Sequence, residues 1–350
     1  MATTSYGVND ALAVKLYSKR LIREALKATF IGKFTGEGND SLIQVKNETS
    51  KGAGDKITFG LRMQLTGDGV SGDGTLEGNE EALVTYSDSI TINQLRHAVR
   101  SAGKMSEQRV PFSVREEALS GLRDWWAGRL DTWFANQIAG YTPQTDTRYT
   151  GLGATVAPTT AQLLIQGQTA ESSITSSDTF TLGLIDRGVT LAKTLIPVIR
   201  PVMVNGKPMY VAFLHPYQVR SMRTSTTTGQ WLDIQKAAMT GGDIDDNPIF
   251  SGALGVYNNV ILHEWTRLPN AVSSGASMSN TKRAVMCGAQ AAVMATGQGN
   301  SEDQPNWYEQ LFDYGNQLGV AGGMIAALKK TVFNSADFGT VVLSSYAAAP

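Results

Sequence analysis

Few side chains in this sequence have the types and spacing that catalysis or metal binding needs. Its three histidines, His97, His215 and His263, stand far apart, and none belongs to an H-E-x-x-H pair. No G-x-S-x-G element is present that would expose a nucleophilic serine. The single cysteine, Cys287, excludes disulfides and multi-cysteine metal sites, and its apolar neighbours predict a buried small residue. We therefore expect no catalytic site, metal or cofactor.

The most concentrated charge lies in a glycine-rich acidic stretch, residues 66–82, that contains no basic residue. Its acids do not follow the spacing of a calcium-binding loop, and they would repel a phosphate group. Two interpretations stay open: a solvated surface, or a segment that docks on a basic surface of another subunit. The candidate contact residues are Asp68, Asp73, Glu77, Glu80 and Glu81.

Basic side chains cluster near the start of the chain, where residues 10–31 have the apolar spacing of an amphipathic helix. Its polar face carries Lys15, Lys19, Arg20 and Arg23, which are the candidate partners of the acidic stretch. A second candidate surface is formed by arginines 115, 123 and 129 of a later helix. A purely solvated basic face is the alternative.

Composition narrows the class of protein without identifying it. The 350 residues are 42% hydrophobic and 17% charged, with a formal net charge of −1 and a pI of about 6.3. This balance is typical of a globular protein and argues against tight nucleic-acid binding, which requires a basic surface. The first residues (MATTSYGVND) lack a basic segment followed by an apolar one, so we expect no signal peptide. No apolar run reaches about 18 residues, so we expect no membrane span.

The elements that would position these charges begin with a β ribbon. Residues 57–65 alternate strictly between apolar and polar, and 83–95 form a second β-rich run. The two strands predict a long arm with the acidic stretch at its tip. Because isolated two-stranded ribbons are marginally stable, we expect this arm to lie on another subunit.

The rest of the chain mixes helices and strands. A long helix with three tryptophans is predicted over 106–139, beginning at Ser106 or Ser113. A second helix spans 181–196, Asn205-Gly206 predicts a hairpin turn, and 209–214 reads as a buried strand. A short helix starts at Pro216, one strand covers 256–263, and the tail from 307 to 345 is β-rich. We predict an α+β fold with antiparallel sheets.

The order of these elements resembles the Hong Kong-97-type fold of tailed-phage capsid proteins. Residues 210–219 (YVAFLHPYQV) and the closing motifs at 313–316 (DYGN) and 333–339 (FNSADFG) are similar to those of the phage "N-four"-like major capsid family. The stretch from Lys104 into the tryptophan-rich helix also fits. This resemblance implies an N-terminal arm, an extended β-hairpin loop, a peripheral domain with a long spine helix, and an axial domain.

The corresponding ranges would be 1–40 for the arm, 41–100 for the extended loop, 101–180 with 286–350 for the peripheral domain, and 181–285 for the axial domain. The resemblance implies self-assembly into hexamers and pentamers that enclose double-stranded DNA without sequence-specific binding. It also implies portal, separate scaffolding and decoration proteins as partners, and a location in the virion after assembly in the host cytoplasm. Some proteins of the wider fold cross-link their subunits through a lysine of the extended loop. Residues 66–82 contain no lysine, so cross-linking is not implied here. An encapsulin-like shell and an enzyme of unknown type are the alternatives.

Overall fold

The computed structural model describes residues 25, 28–46, 54–61, 67–80, 86–109, 111, 113–204, 206–224, 253–273, 275–297 and 306–350. The helices are α1 (Lys104–Gln108), α2 (Val114–Ile138), α3 (Leu182–Thr194) and α4 (Pro216–Thr224), with short 3₁₀ turns such as Ile31–Phe34. The strands are β1 (Thr35–Gly36), β2 (Ile43–Lys46), β3 (Lys56–Leu61), β4 (Tyr86–Thr91), β5 (Asn93–Arg100), β6 (Leu163–Ile165), β7 (Val202–Val204), β8 (Lys207–Leu214), β9 (Ala253–Tyr257), β10 (Val260–Glu264), β11 (Asn270–Ser273), β12 (Ala276–Cys287), β13 (Ala292–Thr296), β14 (Asn306–Phe312), β15 (Gln317–Lys330), β16 (Val332–Phe333), β17 (Ala336–Asp337) and β18 (Thr340–Tyr346).

The long helix α2 is the central packing element. It begins after Ser113, the second of the two predicted starts, because α1 and the Pro111 region interrupt the earlier turn. Trp133 and Phe134 are fully buried on it. Gly140 ends it with φ +59°, and a Cβ there would approach the Val156 carbonyl oxygen to 2.6 Å, so only glycine fits.

An eight-stranded sheet lies between two cores. Its path runs β6-β18-β12-β8-β10-β9, with β7 and β11 pairing at the side. Because side chains alternate along a strand, β8 sends Val211 and Phe213 into the core that contains α2. It sends Tyr210 and Ala212 into the core that contains α3. Burial on both faces explains the apolar run at 209–214 and confirms the predicted central strand.

Two details of this sheet differ from expectation. β10 pairs parallel to β8 and β18 pairs parallel to β6, so the sheets are mixed, and the prediction of antiparallel sheets was wrong. The predicted strand at 256–263 is a hairpin, β9–β10, which turns at Asn258 and Asn259 with φ of +45° and +60°. Asparagine tolerates this left-handed region. The hairpin β7–β8 around Gly206 forms as predicted.

A six-stranded sheet packs on the other side of α2, and its longest strand, β15, organises it. The first half of β15 pairs with β14 on one side and β5 on the other. Its second half pairs with β13, which continues to β2 and β1. Val320 and Met324 face α2 and join its core. Strands β6 and β18 come from the ranges predicted as peripheral, yet they pair in the same sheet as β8 and β12; the domain division stays a prediction.

The ribbon β3–β4 is anchored on its own chain. Its apolar face, with Ile57, Phe59 and Ile90, packs on Val293 of β13 and Ala327 of β15. An ion pair of 2.6 Å between the Lys329 ammonium and the Asp88 carboxylate adds a second attachment. The expectation that the ribbon has no support within its own chain was therefore wrong for its base, because the alternating apolar residues find an intramolecular sheet.

Candidate assembly surface

The acidic loop, defined here as the described residues 67–80, extends from the anchored ribbon into solvent. Every one of its side chains is exposed, including those of Asp68, Asp73, Glu77 and Glu80. Leu76 is 60% exposed, which is unusual for a large apolar side chain. The loop thus exposes four carboxylates and an apolar tip at Leu76, and it contains no basic residue.

Part of the acidic loop has a defined shape. The Asn79 amide donates to the Leu76 carbonyl at 3.0 Å, and the Asn79 side chain donates to the Thr75 carbonyl at 2.9 Å. The Gly78 amide donates to Glu80 Oε2 at 2.7 Å. These bonds form a local turn at 75–80, which lowers the entropy that docking would cost.

The predicted basic partners form two groups, one near the start of the chain and one on the spine helix. Lys15, Lys19, Arg20 and Arg23, like Glu81, lie outside the described residues. On the spine helix α2, Arg115 pairs with Glu309 at 2.5 Å and Arg123 pairs with Asp124 at 2.9 Å. The Arg129 guanidinium lies 4.0 Å from the Tyr149 ring centroid and 4.9 Å from that of Trp125. All three spine arginines are engaged within the chain.

Sequence reasoning missed two other cations, Arg96 and Arg100, both exposed on β5. The predicted strand ended at residue 95, so their position on a sheet was not apparent. Residues 96–100 (RHAVR) do not alternate between polar and apolar types, because polar side chains stand on both faces of the strand. The pairing of β5 with β15 reveals them.

The histidines and the cysteine have structural surroundings. His97 stacks on Trp125 with ring centroids 4.5 Å apart, and His263 is buried among Phe30, Phe34 and Phe213. Cys287 is buried and free, as predicted, and burial raises the pKa of its thiol. In the described part of the chain, no group of three or more histidine, cysteine or acidic side chains is arranged to hold a metal ion.

None of the helices in the described ranges is long and apolar enough to cross a membrane.

His215 caps the start of α4 and should make stability depend on pH. Its Nδ1 accepts the Tyr217 amide at 3.2 Å, and burial, with Lys282 nearby, lowers the pKa of His215 from 6.5 to about 4. The unfolded chain therefore binds more protons between pH 6.5 and 4. We expect this histidine to remove stability as pH falls through that window, by on the order of 1–3 kcal/mol.

The measurement compares urea unfolding of the wild-type subunit with His215→Asn at pH 7 and pH 4.5. Asparagine keeps an acceptor for the Tyr217 amide but does not titrate. The wild type should lose stability relative to the variant on acidification. A difference between the two proteins that does not change with pH would contradict the assignment.

A family model, a curated relative and a solved structure all match this chain over nearly its whole length. A family model described as "Phage capsid protein" matches residues 5–349. The major capsid protein of Pseudomonas phage KPP25 is 30% identical over 371 aligned positions, which cover 95% of this chain and 94% of that protein. The solved capsid of Ralstonia phage GP4 matches with a TM-score of 0.82 and 33% identity over 100% of this chain and 96% of that chain.

A more distant structure extends the likeness of fold. The capsid of cyanophage Pam1 matches with a TM-score of 0.69 at 20% identity, covering 93% of this chain and 94% of that chain. The mixed helices and sheets, the long spine helix and the extended ribbon are those of the Hong Kong-97-type capsid fold, as the sequence resemblance implied. With nearly its whole length matched, the chain belongs to the phage capsid protein family.

Proposed function

We propose that this chain forms the shell of a tailed-phage head by assembling into hexamers and pentamers around double-stranded DNA, with no catalytic role. The observation that carries the proposal is the acidic loop, which is fully exposed at the end of a ribbon that its own chain anchors. A rigidly based projection with an apolar tip is suited to reach a neighbouring copy. Repetition of one such contact in every subunit can close a shell even where each contact is weak.

The finer assignments belong to the same proposal. Residues 1–40 would act as an arm, 41–100 as the extended loop, 101–180 with 286–350 as the peripheral domain, and 181–285 as the axial domain. Assembly would take place in the host cytoplasm with a portal, a separate scaffolding protein and a decoration protein. The near-neutral chain, with a net charge of −1, would enclose DNA without holding it tightly.

Deletion of residues 66–82 tests the role of the acidic loop. The deleted subunit should remain folded, because the ribbon base packs through β3 and β4, but it should fail to form closed shells. Negative-stain microscopy and sedimentation would measure particles, and circular dichroism would measure folding. Normal particles from the deleted chain would refute the proposal.

A matched control separates the length of the loop from its chemistry. A chain in which Asp68, Asp73, Glu77 and Glu80 become Asn or Gln keeps the length and glycines of the loop. Assembly that is weakened most at low salt would assign the effect to charge, because screening is weakest there.

The nucleic-acid content of purified wild-type particles distinguishes a phage head from an encapsulin-like shell, which would contain protein cargo.

A further inference from the structure

The spine helix α2 turns one side away from the hydrophobic core. Trp125, Arg129 and Thr132 are partly exposed, whereas Trp126 and Leu130 are buried. Residues three and four positions apart lie on the same side of a helix, so the first three residues form one solvent-facing stripe. The chemistry of this stripe is determined by the cations that lie on it.

One of these cations comes from outside the helix. Arg267 is exposed, and its Nη1 donates to Thr132 Oγ1 at 3.1 Å. A Cβ on Gly128 would come within 2.9 Å of Arg267 Nη2. The glycine therefore leaves the space in which this guanidinium lies against the exposed side of α2.

The 3₁₀ turn at 147–149 adds another cation and an aromatic ring. The Arg129 guanidinium contacts the rings of Trp125 and Tyr149, and its Nη1 donates to the Arg148 carbonyl at 3.2 Å. The Arg148 side chain is 69% exposed and pairs with Asp146 at 2.6 Å. We define the cationic face as Trp125, Arg129, Thr132, Arg148, Tyr149 and Arg267.

The cationic face differs in charge from the chain as a whole. Its three arginines share the surface with one acid, Asp146, whereas the whole chain has a net charge of −1. The adjacent Arg123 and Asp124 form an ion pair at 2.9 Å and add no net charge. An exposed ion pair contributes little stability and a guanidinium has five N–H donors, so an anion can bind at Arg148 beside or in place of Asp146.

A phosphate group is the anion that this arrangement fits. Guanidinium groups bind phosphate oxygens through paired N–H donors. Arg129 is held between two aromatic rings, so it loses less side-chain entropy when it binds. Three cations on the side of a helix neutralise few phosphates, which makes the contact weak and independent of base sequence.

We propose that the cationic face contacts the phosphate backbone of the duplex DNA inside the shell. This inference rests on the proposed shell function and assigns the exposed side of α2 to the interior of the particle. A contact made by three arginines is weak in a single subunit, but a closed shell repeats it in every copy. The DNA would be held at many points and tightly at none.

Removal of two charges tests DNA binding by the unassembled subunit. The wild type should bind a short fluorescent DNA duplex weakly, with an affinity that falls as salt is raised. Arg148→Gln/Arg267→Gln should bind more weakly, and its slope of log K against log salt should be smaller by about 2, because about 0.9 counterion is released per phosphate contact. Arg148→Lys/Arg267→Lys should keep the wild-type slope.

A matched control removes two exposed charges elsewhere. Lys193→Gln/Arg220→Gln changes α3 and α4 by the same total charge and should bind DNA with the wild-type slope. Equal slopes for Arg148→Gln/Arg267→Gln and the wild type would overturn the inference, as would a wild-type subunit that shows no salt-dependent binding.

The accessibility of a new cysteine tests the inward orientation. Gly121 lies one turn before Trp125, and a Cβ there would meet no other atom within 4 Å. In intact empty shells of Gly121→Cys, a small maleimide should label this cysteine, and a polymer-linked maleimide too large to enter should not. The buried Cys287 contributes little background. Labelling by the large reagent would overturn the orientation, and protection from both would mean that a protein chain covers the face, which also overturns the inference.

Ultraviolet cross-linking of DNA-filled wild-type particles locates the contact without any variant. After nuclease digestion, peptides that contain Trp125 and Tyr149 should carry bound nucleotide in a mass spectrum. Cross-links that all fall on other peptides would overturn this inference and leave the shell function intact. A chain that forms no closed shells would instead contradict the proposed function itself.

Discussion

Replacing Arg283 by Met is expected to lower the free energy of unfolding of the unassembled subunit by about 3–5 kcal/mol. Arg283 and Glu171 form a buried bidentate pair, with Nε to Oε1 at 2.9 Å and Nη2 to Oε2 at 2.6 Å. Their side chains are only 4% and 5% exposed. Without the guanidinium, the Glu171 carboxylate would stay buried without its counterion.

Arg283 also joins separate parts of the fold. Its Nη1 donates to the carbonyls of Ala139 and Gly140, each at 2.9 Å, at the end of α2. The positive charge of Arg283 also interacts favourably with the negative, C-terminal end of the helix dipole. Glu171 accepts the Val272 amide at 3.1 Å and the Ser344 hydroxyl. Spine helix, β11, β12 and β18 therefore all depend on one ion pair.

Urea unfolding followed by circular dichroism would measure the loss. The exposed Arg220→Met serves as the matched control and should change stability little. The double variant Arg283→Met/Glu171→Leu should be more stable than Arg283→Met alone, because it removes the stranded charge. A loss below about 1 kcal/mol in the single variant would show that the pair is better solvated than its burial indicates.

Trp133→Ala should cost a similar amount, about 3–5 kcal/mol, by a different mechanism. The side chain is fully buried on α2, its ring meets that of Trp126 at 90° with centroids 6.4 Å apart, and its Nε1 donates to the Arg148 carbonyl at 2.7 Å. Alanine would leave a cavity between the sheets and remove the donor for that carbonyl.

The neighbouring Trp125 is the natural control. It is half-buried and lies between His97 and Arg129 at the surface. Trp125→Ala should cost clearly less than Trp133→Ala in the same unfolding measurement. Equal losses would mean that the aromatic contacts of α2, rather than burial, determine its stability.

Periodicity made much of this fold predictable. The alternation at Ile57, Phe59 and Leu61 identifies the ribbon, and the spacing of apolar residues identifies α2 together with its glycine end. The uninterrupted run at 209–214 identifies a strand buried on both faces. These signals are local, since each depends only on which face of one element is apolar. The family resemblance, which uses the order of the same elements, is confirmed.

Contacts between distant residues were not predictable. Glu171 and Arg283 are 112 positions apart, and no local pattern relates them. The turn at Asn258-Asn259 lacks the usual glycine, so two strands appeared as one. The charge of the acidic stretch was evident from the sequence, but the position of Arg96 and Arg100 follows from a pairing with β15 that composition does not encode.

The long strand β15 has a mechanical consequence for a filled particle. Its 14 residues span roughly 46 Å. One half, with Gly319, Ala321 and Gly323, pairs with β5, and the other half pairs with β13. A pull directed along the strand axis would act on both halves at once. Such a pull would load the hydrogen bonds of both ladders together in shear, and would not break them one at a time.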